Sequence, residues 1–333
     1  MGWSTWFDDQ LENADAADVG RVIEVQRTGV TIRTIDVDLR LPLGGKWFRD
    51  ETTERPTVGD WVQLDADRTQ ILHLFTRYNL LQRREVHGGA AQAIAANVDA
   101  LLIVTACNDE FNLSRLERYL ALAREAGVAP VLVLTKADLT DDLPSFVAQA
   151  QSLGADLSVV TVNAHDSAVT DQLKQWSGPG RTIALLGSSG VGKSTLLNTL
   201  AGNTAQRTGA SRDSDDRGRH TTSHRSLHVL ADGTLVIDSP GIRELGVIET
   251  KAEPDVVFDD VLELAATCRF SDCRHQAEPG CAVQGAIRSG QLDPRRLASF
   301  RKLQEESAAA RLREQVKPRS GRPRKGKLPP SSQ

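Results

Sequence analysis

At 333 residues, with 40% hydrophobic and 25% charged side chains, the chain has the composition of a soluble globular protein of roughly two or three domains. Its length buries a sizeable core without disulfides, and three of its four cysteines fall between Cys268 and Cys281, which points to a reduced cytosol and a metal site. Met1–Leu11 lacks the basic and apolar regions of a signal peptide, and the longest apolar runs, near Ala100–Val104 and Val131–Leu134, are too short to span a bilayer. The net charge of −4 is unevenly spread. Met1–Asp18 carries Asp8, Asp9, Glu12, Asp15 and Asp18 with no basic residue, and Lys317–Lys327 is basic, laced with Pro and Gly, and free of acids. Such a tail is expected to be disordered, suited either to phosphate backbones or to solvent alone.

In chain order, Arg21–Gln26, Gly29–Ile35, Val37–Pro42, Asp60–Leu64 and Gln70–Phe75 are short β-rich runs punctuated by glycine. They suit a compact barrel such as an OB-fold, although an SH3-like barrel or small sandwich gives a similar pattern. From Val98 strands and helices alternate: strand Asp99–Ala106, helix Leu113–Ala126 capped by Asn112, strand Pro130–Thr135 and helix Asp142–Leu153. Strand Leu157–Val162, helix Ser167–Trp176, strand Thr182–Leu186 and helix Lys193–Ala201 follow, which predicts an α/β domain with a parallel sheet. Leu227–Asp238 reads as a hairpin about Ala231-Asp232-Gly233, making the sheet mixed. Past Gly246 the composition turns helical, ending in a charged helix, Arg295–Arg313.

Gly187-Ser188-Ser189-Gly190-Val191-Gly192-Lys193-Ser194, followed by Thr195, fits G-x-x-x-x-G-K-[ST] between a strand and a helix. Its glycines let backbone N–H groups cradle phosphates, Lys193 adds positive charge, and Ser194 can ligate Mg²⁺. Thr135-Lys136-Ala137-Asp138 selects the base. A carboxylate at Asp138 accepts from the N1–H and 2-amino groups of guanine, whereas adenine has no donors there. Asn163-Ala164 follows the next strand, where it either supports the base from its other edge or caps a helix. Asp238-Ser239-Pro240-Gly241 fits D-x-x-G, with Asp238 toward Mg²⁺ and the Gly241 N–H toward the γ-phosphate. Arg219-His220-Thr221-Thr222 offers a switch threonine for Mg²⁺, Thr221 or Thr222, with Thr222 preferred. Ile242 stands where many GTPases have a water-positioning Gln, so hydrolysis is expected to be slow without a partner. His220 is the candidate to place the water, its alternative role being contact with a partner or loop.

The order of these elements, base motif before P-loop, is that of a circularly permuted G-domain. D-x-x-G then leads straight into the cysteine-bearing segment. There Cys268-x4-Cys273-x-His275-x5-Cys281 supplies a Cys₃His set, predicting one structural zinc. Cys107 is expected in the core, and His224 and His228 are not expected to be ligands.

With these motifs the chain resembles the bacterial ribosome small-subunit-dependent GTPases, the RsgA (YjeQ/EngC) family. The likeness spans about Val19 to Phe300 and rests on Gly187–Ser194 with the upstream TKAD, Gly218–Thr222, DSPG, Cys268–Val283 and Asn97-Val98-Asp99. The resemblance implies an N-terminal OB-fold, a permuted GTPase domain and a C-terminal zinc domain. It further implies a cytoplasmic protein that binds the small (30S) ribosomal subunit late in maturation and hydrolyses GTP faster there. GTP and GDP, 16S rRNA and 30S proteins are the partners it implies, with no membrane and a monomeric chain. Thr135 stands where many members have Asn, and Asn163 where Ser is frequent. The expected boundaries are an acidic extension at 1–18, the OB-fold at 19–77, the GTPase domain at 78–246, the zinc domain at 247–310 and a basic tail at 311–333. Two other readings compete. A P-loop ATPase or kinase is opposed by TKAD and DSPG, and a zinc-stabilised RNA-binding protein that senses GTP and hydrolyses it poorly is favoured by Ile242.

Overall fold

The computed structural model describes residues 1–11, 18–26, 28–48, 55–83, 92–202, 225–238 and 257–316. Five short strands open the fold: β1 (Val19–Gln26), β2 (Gly29–Arg33), β3 (Asp38–Pro42), β4 (Trp61–Leu64) and β5 (Ile71–Leu74). β1 pairs antiparallel with both β2 and β4, β2 continues to β3, and β4 to β5. A register shift between Val22 and Glu24 lets β1 bend between its neighbours. Val22, Val30, Ile32, Leu41, Trp47, Val62, Leu64 and Ile71 fill the interior. β3 and β5 stay unpaired with each other among the described residues, so the barrel is partly open, as in OB-folds.

Residues 1–11, read from sequence as part of an acidic extension, belong to this unit. Helix α1 (Thr5–Asp8) lays Phe7, with Trp3, against Trp61 and Phe75. Beneath them lies Arg21, whose guanidinium donates to the carbonyls of Met1 (2.6 Å), Gly59 (3.1 Å) and Asn97 (3.1 Å). Burial lowers its pKa to about 10, a fall that Tyr78, Asp99 and Asp60 nearby oppose, and its guanidinium lies over the Trp61 ring. This one side chain ties the N-terminus, the barrel and the strand that opens the next domain.

A two-stranded ribbon, β6 (Leu80–Arg83) and β7 (Gln92–Ala96), makes the transition; its short runs are not expected from the sequence pattern. The central sheet then contains β8 (Ala100–Ala106), β9 (Ala129–Thr135), β10 (Ser158–Thr161), β11 (Thr182–Leu186), β12 (Arg225–Val229) and β13 (Leu235–Asp238). Its order is β10-β9-β8-β11-β13-β12, parallel except for β12. Every residue of β8 and β11 is buried, because helices cover both faces. The β12–β13 hairpin turns at Ala231-Asp232-Gly233, where Asp232 accepts the Thr234 N–H at 2.9 Å and Gly233 takes φ 84°. Beyond β12 the sheet does not end. β1 pairs with it through Glu24–Ser226 and Val25–Arg225, so barrel and α/β sheet are continuous.

Among the described residues, the helices of this domain are α2 (Leu113–Glu125), α3 (Leu143–Gln151), α4 (Val169–Gln172) and α5 (Lys193–Leu200). Asn112 caps α2 by accepting the Arg115 N–H at 2.9 Å. α4 is far shorter than the expected Ser167–Trp176, because the chain leaves it in turns that end where Gly178 donates to Thr234 Oγ1 at 2.7 Å.

Among the described residues, three helices form the C-terminal unit: α6 (Asp259–Ala266), α7 (Ala282–Ser289) and α8 (Pro294–Val316). α8 runs past the expected end at Arg313 to Val316, into the residues read as tail. It docks on α2. The buried Glu117 carboxylate accepts from Arg295 at 3.0 Å and Arg296 at 3.1 Å, and Ser114 and Ser299 hydrogen-bond at 3.0 Å. Arg296 also binds Asp260 at 2.7 Å and the Val257 carbonyl at 2.8 Å. No helix among the described residues is long and apolar enough to cross a membrane.

Candidate functional site

β8, β9, β11 and β13 are parallel, so their C-terminal ends share one rim, the edge at which open α/β sheets bind ligands. The Gly187–Thr195 loop leaves β11 there, and Thr135-Lys136-Ala137-Asp138 leaves β9 beside it. A Cβ at Gly187 would stand 2.2 Å from the Val104 carbonyl, so only glycine lets the loop lie on β8. Gly190 and Gly192 take φ 81° and 95°, the left-handed backbone that aims successive amides inward before α5 begins at Lys193. The Lys193 ammonium donates to the Gly187 carbonyl at 2.7 Å and to the Ser188 carbonyl. It is thereby held across the mouth of the loop. Ser194 is exposed one residue further on.

The fully buried Thr135 does not point its hydroxyl out toward a base. Its Oγ1 donates to the Val191 carbonyl at 2.6 Å, with the Thr105 carbonyl at 3.2 Å, and so ties the base motif to the P-loop. Lys136 follows with φ 56°, a left-handed turn that starts the short 3₁₀ segment Ala137–Leu139 and leaves the Asp138 carboxylate exposed. Asn163 closes the neighbouring loop. Its Oδ1 accepts the His165 N–H at 3.0 Å, the local capping role, and the loop is held to α5 by Thr199, which donates to the Ala164 carbonyl at 2.6 Å. Sequence reasoning missed Thr199 because nothing in the helix pattern distinguishes it.

It missed Tyr119 as well. This α2 residue lies in the core, where burial raises its pKa and nearby Ser188 of the P-loop opposes that rise. α2 therefore adjoins the nucleotide loop at Tyr119 and the C-terminal unit at Glu117. Asp238 closes β13. His220, Thr221, Thr222, Gly241, Ile242, His224 and the basic tail lie outside the described residues.

The second constellation is local. Cys268, Cys273, His275 and Cys281 bring their ligand atoms within 4.8 Å of one another, a group that can hold a metal ion. His275 Nδ1 stands 3.6 Å from Cys268 Sγ and 3.5 Å from Cys281 Sγ, and the two sulfurs are 3.9 Å apart. The loop is shaped for this. Glu278 accepts the N–H groups of Arg274, Gln276 and Ala277, and His275 adopts φ 58°. Gln284 donates to the His275 carbonyl at 2.6 Å, and Arg301 of α8 donates to the same carbonyl. Cys107 is buried at the end of β8, its thiol pKa pushed up to about 11 by burial, and His228 bonds Ser226 at 2.8 Å. Neither belongs to the cluster.

The sequence profile of the RsgA GTPase family matches residues 74–248. A protein of Mesorhizobium japonicum named small ribosomal subunit biogenesis GTPase RsgA is 47% identical over 313 residues, covering 92% of this chain and 89% of that one. Among solved structures, YjeQ from Thermotoga maritima superposes with a TM-score of 0.62 at 24% identity, over 87% of this chain and 98% of that one. YloQ, described as a circularly permuted GTPase, gives 0.56 at 23% identity, over 87% and 95%. At these identities the two structures speak for the fold, with its permuted order of strands.

Proposed function

This chain belongs to the RsgA GTPase family, and on that footing we propose that it binds the small (30S) ribosomal subunit late in maturation and hydrolyses GTP under the subunit's stimulation. The observation that carries the guanine-nucleotide part is the bond from Thr135 to Val191, which joins the guanine motif and the P-loop in one rim. In this reading Asp138 takes the base edge, Lys136 covers its plane, and Asn163-Ala164 supports the opposite edge. Lys193 would exchange the loop carbonyls for phosphate oxygens, while the amides of Gly187–Thr195 hold the α- and β-phosphates. Ser194, Thr222 and Asp238 would hold Mg²⁺, which when bound neutralises charge on the phosphates. The Gly241 N–H would meet the γ-phosphate. With Ile242 unable to orient water, His220 is the residue proposed to do so, and the partner completes its placement.

The Cys₃His group fits zinc as a structural ion. Arms of about 2.3 Å to sulfur and about 2.0 Å to nitrogen give tetrahedral edges of about 3.8 Å between sulfurs and about 3.5 Å from nitrogen to sulfur. The distances around His275 Nδ1 and between Cys268 and Cys281 match these edges. Four protein ligands leave no open position, so the site organises the C-terminal unit. The proposed setting is cytoplasmic, with 16S rRNA and 30S proteins as partners of a monomeric chain.

The test is GTP turnover by the full chain with and without purified small subunits, across a salt series. Stimulation of more than about tenfold is expected, weakening as salt rises because phosphate-backbone contacts release counterions. Lys193→Ala should lose turnover in both conditions. Equal rates with and without the subunit at every salt concentration would reject the stimulated reading.

A further inference from the structure

Two hydrogen bonds converge on the loop after β10, and they assign a role to a residue outside every nucleotide motif. Thr199 lies near the end of α5, the helix that the P-loop begins, and its Oγ1 donates to the Ala164 carbonyl at 2.6 Å. One residue earlier, Asn163 Oδ1 accepts the His165 N–H at 3.0 Å, and on the far side Ala137 donates to the Val162 carbonyl at 3.4 Å. The peptide plane that follows Ala164 is therefore held at both ends, its N–H by Asn163 within the loop and its carbonyl by α5, while the plane before it, which carries the Ala164 N–H, is held by Asp166, whose N–H donates to the Asn163 carbonyl at 2.9 Å. Ala164 itself is 6% exposed, and its N–H donates to no other described residue.

We propose that Thr199 is a positioning residue for base recognition: by anchoring the Ala164 carbonyl to α5 it fixes where Ala164 sits, and the bond from Asp166 to the Asn163 carbonyl in the same loop then turns the Ala164 N–H toward the carbonyl at C6 of guanine. This rests on the guanine-nucleotide reading above. The physical consequence is a difference in kind between the two halves of base recognition. Asp138 reads the N1–H and 2-amino donors from an exposed carboxylate on a separate loop, and the clamp does not touch it. The C6 carbonyl is read by a backbone amide, which has no rotamers and takes its direction entirely from the loop. Because α5 also carries Lys193 and Ser194, the clamp sets the distance between base and phosphate pockets as well.

Thr199→Val keeps the side-chain shape and deletes the donor, and Thr199→Ser restores it. Fluorescence-monitored binding of GDP and of 6-thio-GDP to the full chain reads the effect, since the thio analogue differs only in having a weak acceptor at C6. Native chain should prefer GDP. In Thr199→Val, GDP affinity should fall about fivefold, as for one hydrogen bond, and the preference over 6-thio-GDP should shrink by a similar factor. Thr199→Ser should recover both. An equal loss for both nucleotides, leaving the preference intact, would show that Thr199 supports the fold only and would overturn the proposal, as would no change at all. Failure of the native chain to bind GDP would instead overturn the guanine reading beneath it.

Discussion

Cys268, Cys273, His275 and Cys281 converge within one turn-rich loop, whereas the candidate nucleotide rim gathers Thr135, Asn163 and the Gly187–Thr195 loop from the ends of three separate strands. The Cys₃His cluster is shaped by its own loop, with Glu278 on three backbone amides and Arg301 bracing the His275 carbonyl. The candidate nucleotide rim is bound together by side-chain hydrogen bonds between elements, Thr135 on Val191 and Thr199 on Ala164. A site closed by an ion concentrates its stability in a few ligands. A site closed by sheet topology spreads it over many small contacts.

The largest effect expected from this contrast is at the cluster. Cys273→Ala should abolish stoichiometric metal and unfold the loop and α7, because apparent binding energies of structural zinc run to about 10 kcal/mol or more. Metal content and protection from proteolysis measure this, and retention of both would remove the metal from the account of the C-terminal unit.

Next comes the joint between the two regions. Glu117 is 2% exposed and carries both Arg295 and Arg296. Glu117→Ala leaves Arg295 with its weaker Asp293 contact, while Arg296 keeps Asp260 and Val257. Breaking a buried ion pair from one side costs about 3–5 kcal/mol, and that loss should appear in hydrogen exchange along α8. If only α2 loosens, the C-terminal unit does not depend on this joint.

The smallest effect lies inside the rim. Thr135→Val deletes one hydroxyl and leaves the Val191 carbonyl short of a donor, at about 1–3 kcal/mol. GDP should dissociate several-fold faster, and Thr135→Ser should behave as the native chain. An unchanged dissociation rate in Thr135→Val would mean that the P-loop needs no support from β9.

Legibility followed the same division. The cluster, the P-loop and the β12–β13 hairpin are visible in the chain because each is a local pattern whose spacing is itself the geometry. The five barrel strands and the alternation after Val98 are legible for the same reason, since side-chain period reports burial directly. Residues 1–11 were not, because a helix of one turn carries no period; Trp3 and Phe7 acquire meaning only when Trp61 and Phe75 arrive from the barrel. The shortened α4 and the lengthened α8 are boundary effects, set by what each helix packs against.

The amino-acid sequence alone determined the chemistry on offer: a glycine-rich G-x-x-x-x-G-K-[ST] loop, the TKAD carboxylate, a Cys₃His set and the permuted order of these motifs. Only the tertiary structure decided which way Thr135 turns, that Thr199 holds Ala164, that Glu117 receives α8, and that β1 extends the sheet beyond β12. Motifs follow from short-range backbone geometry, which neighbouring residues set. Cross-element hydrogen bonds depend on which strand ends and helices the sheet order brings together, and no local pattern carries that information.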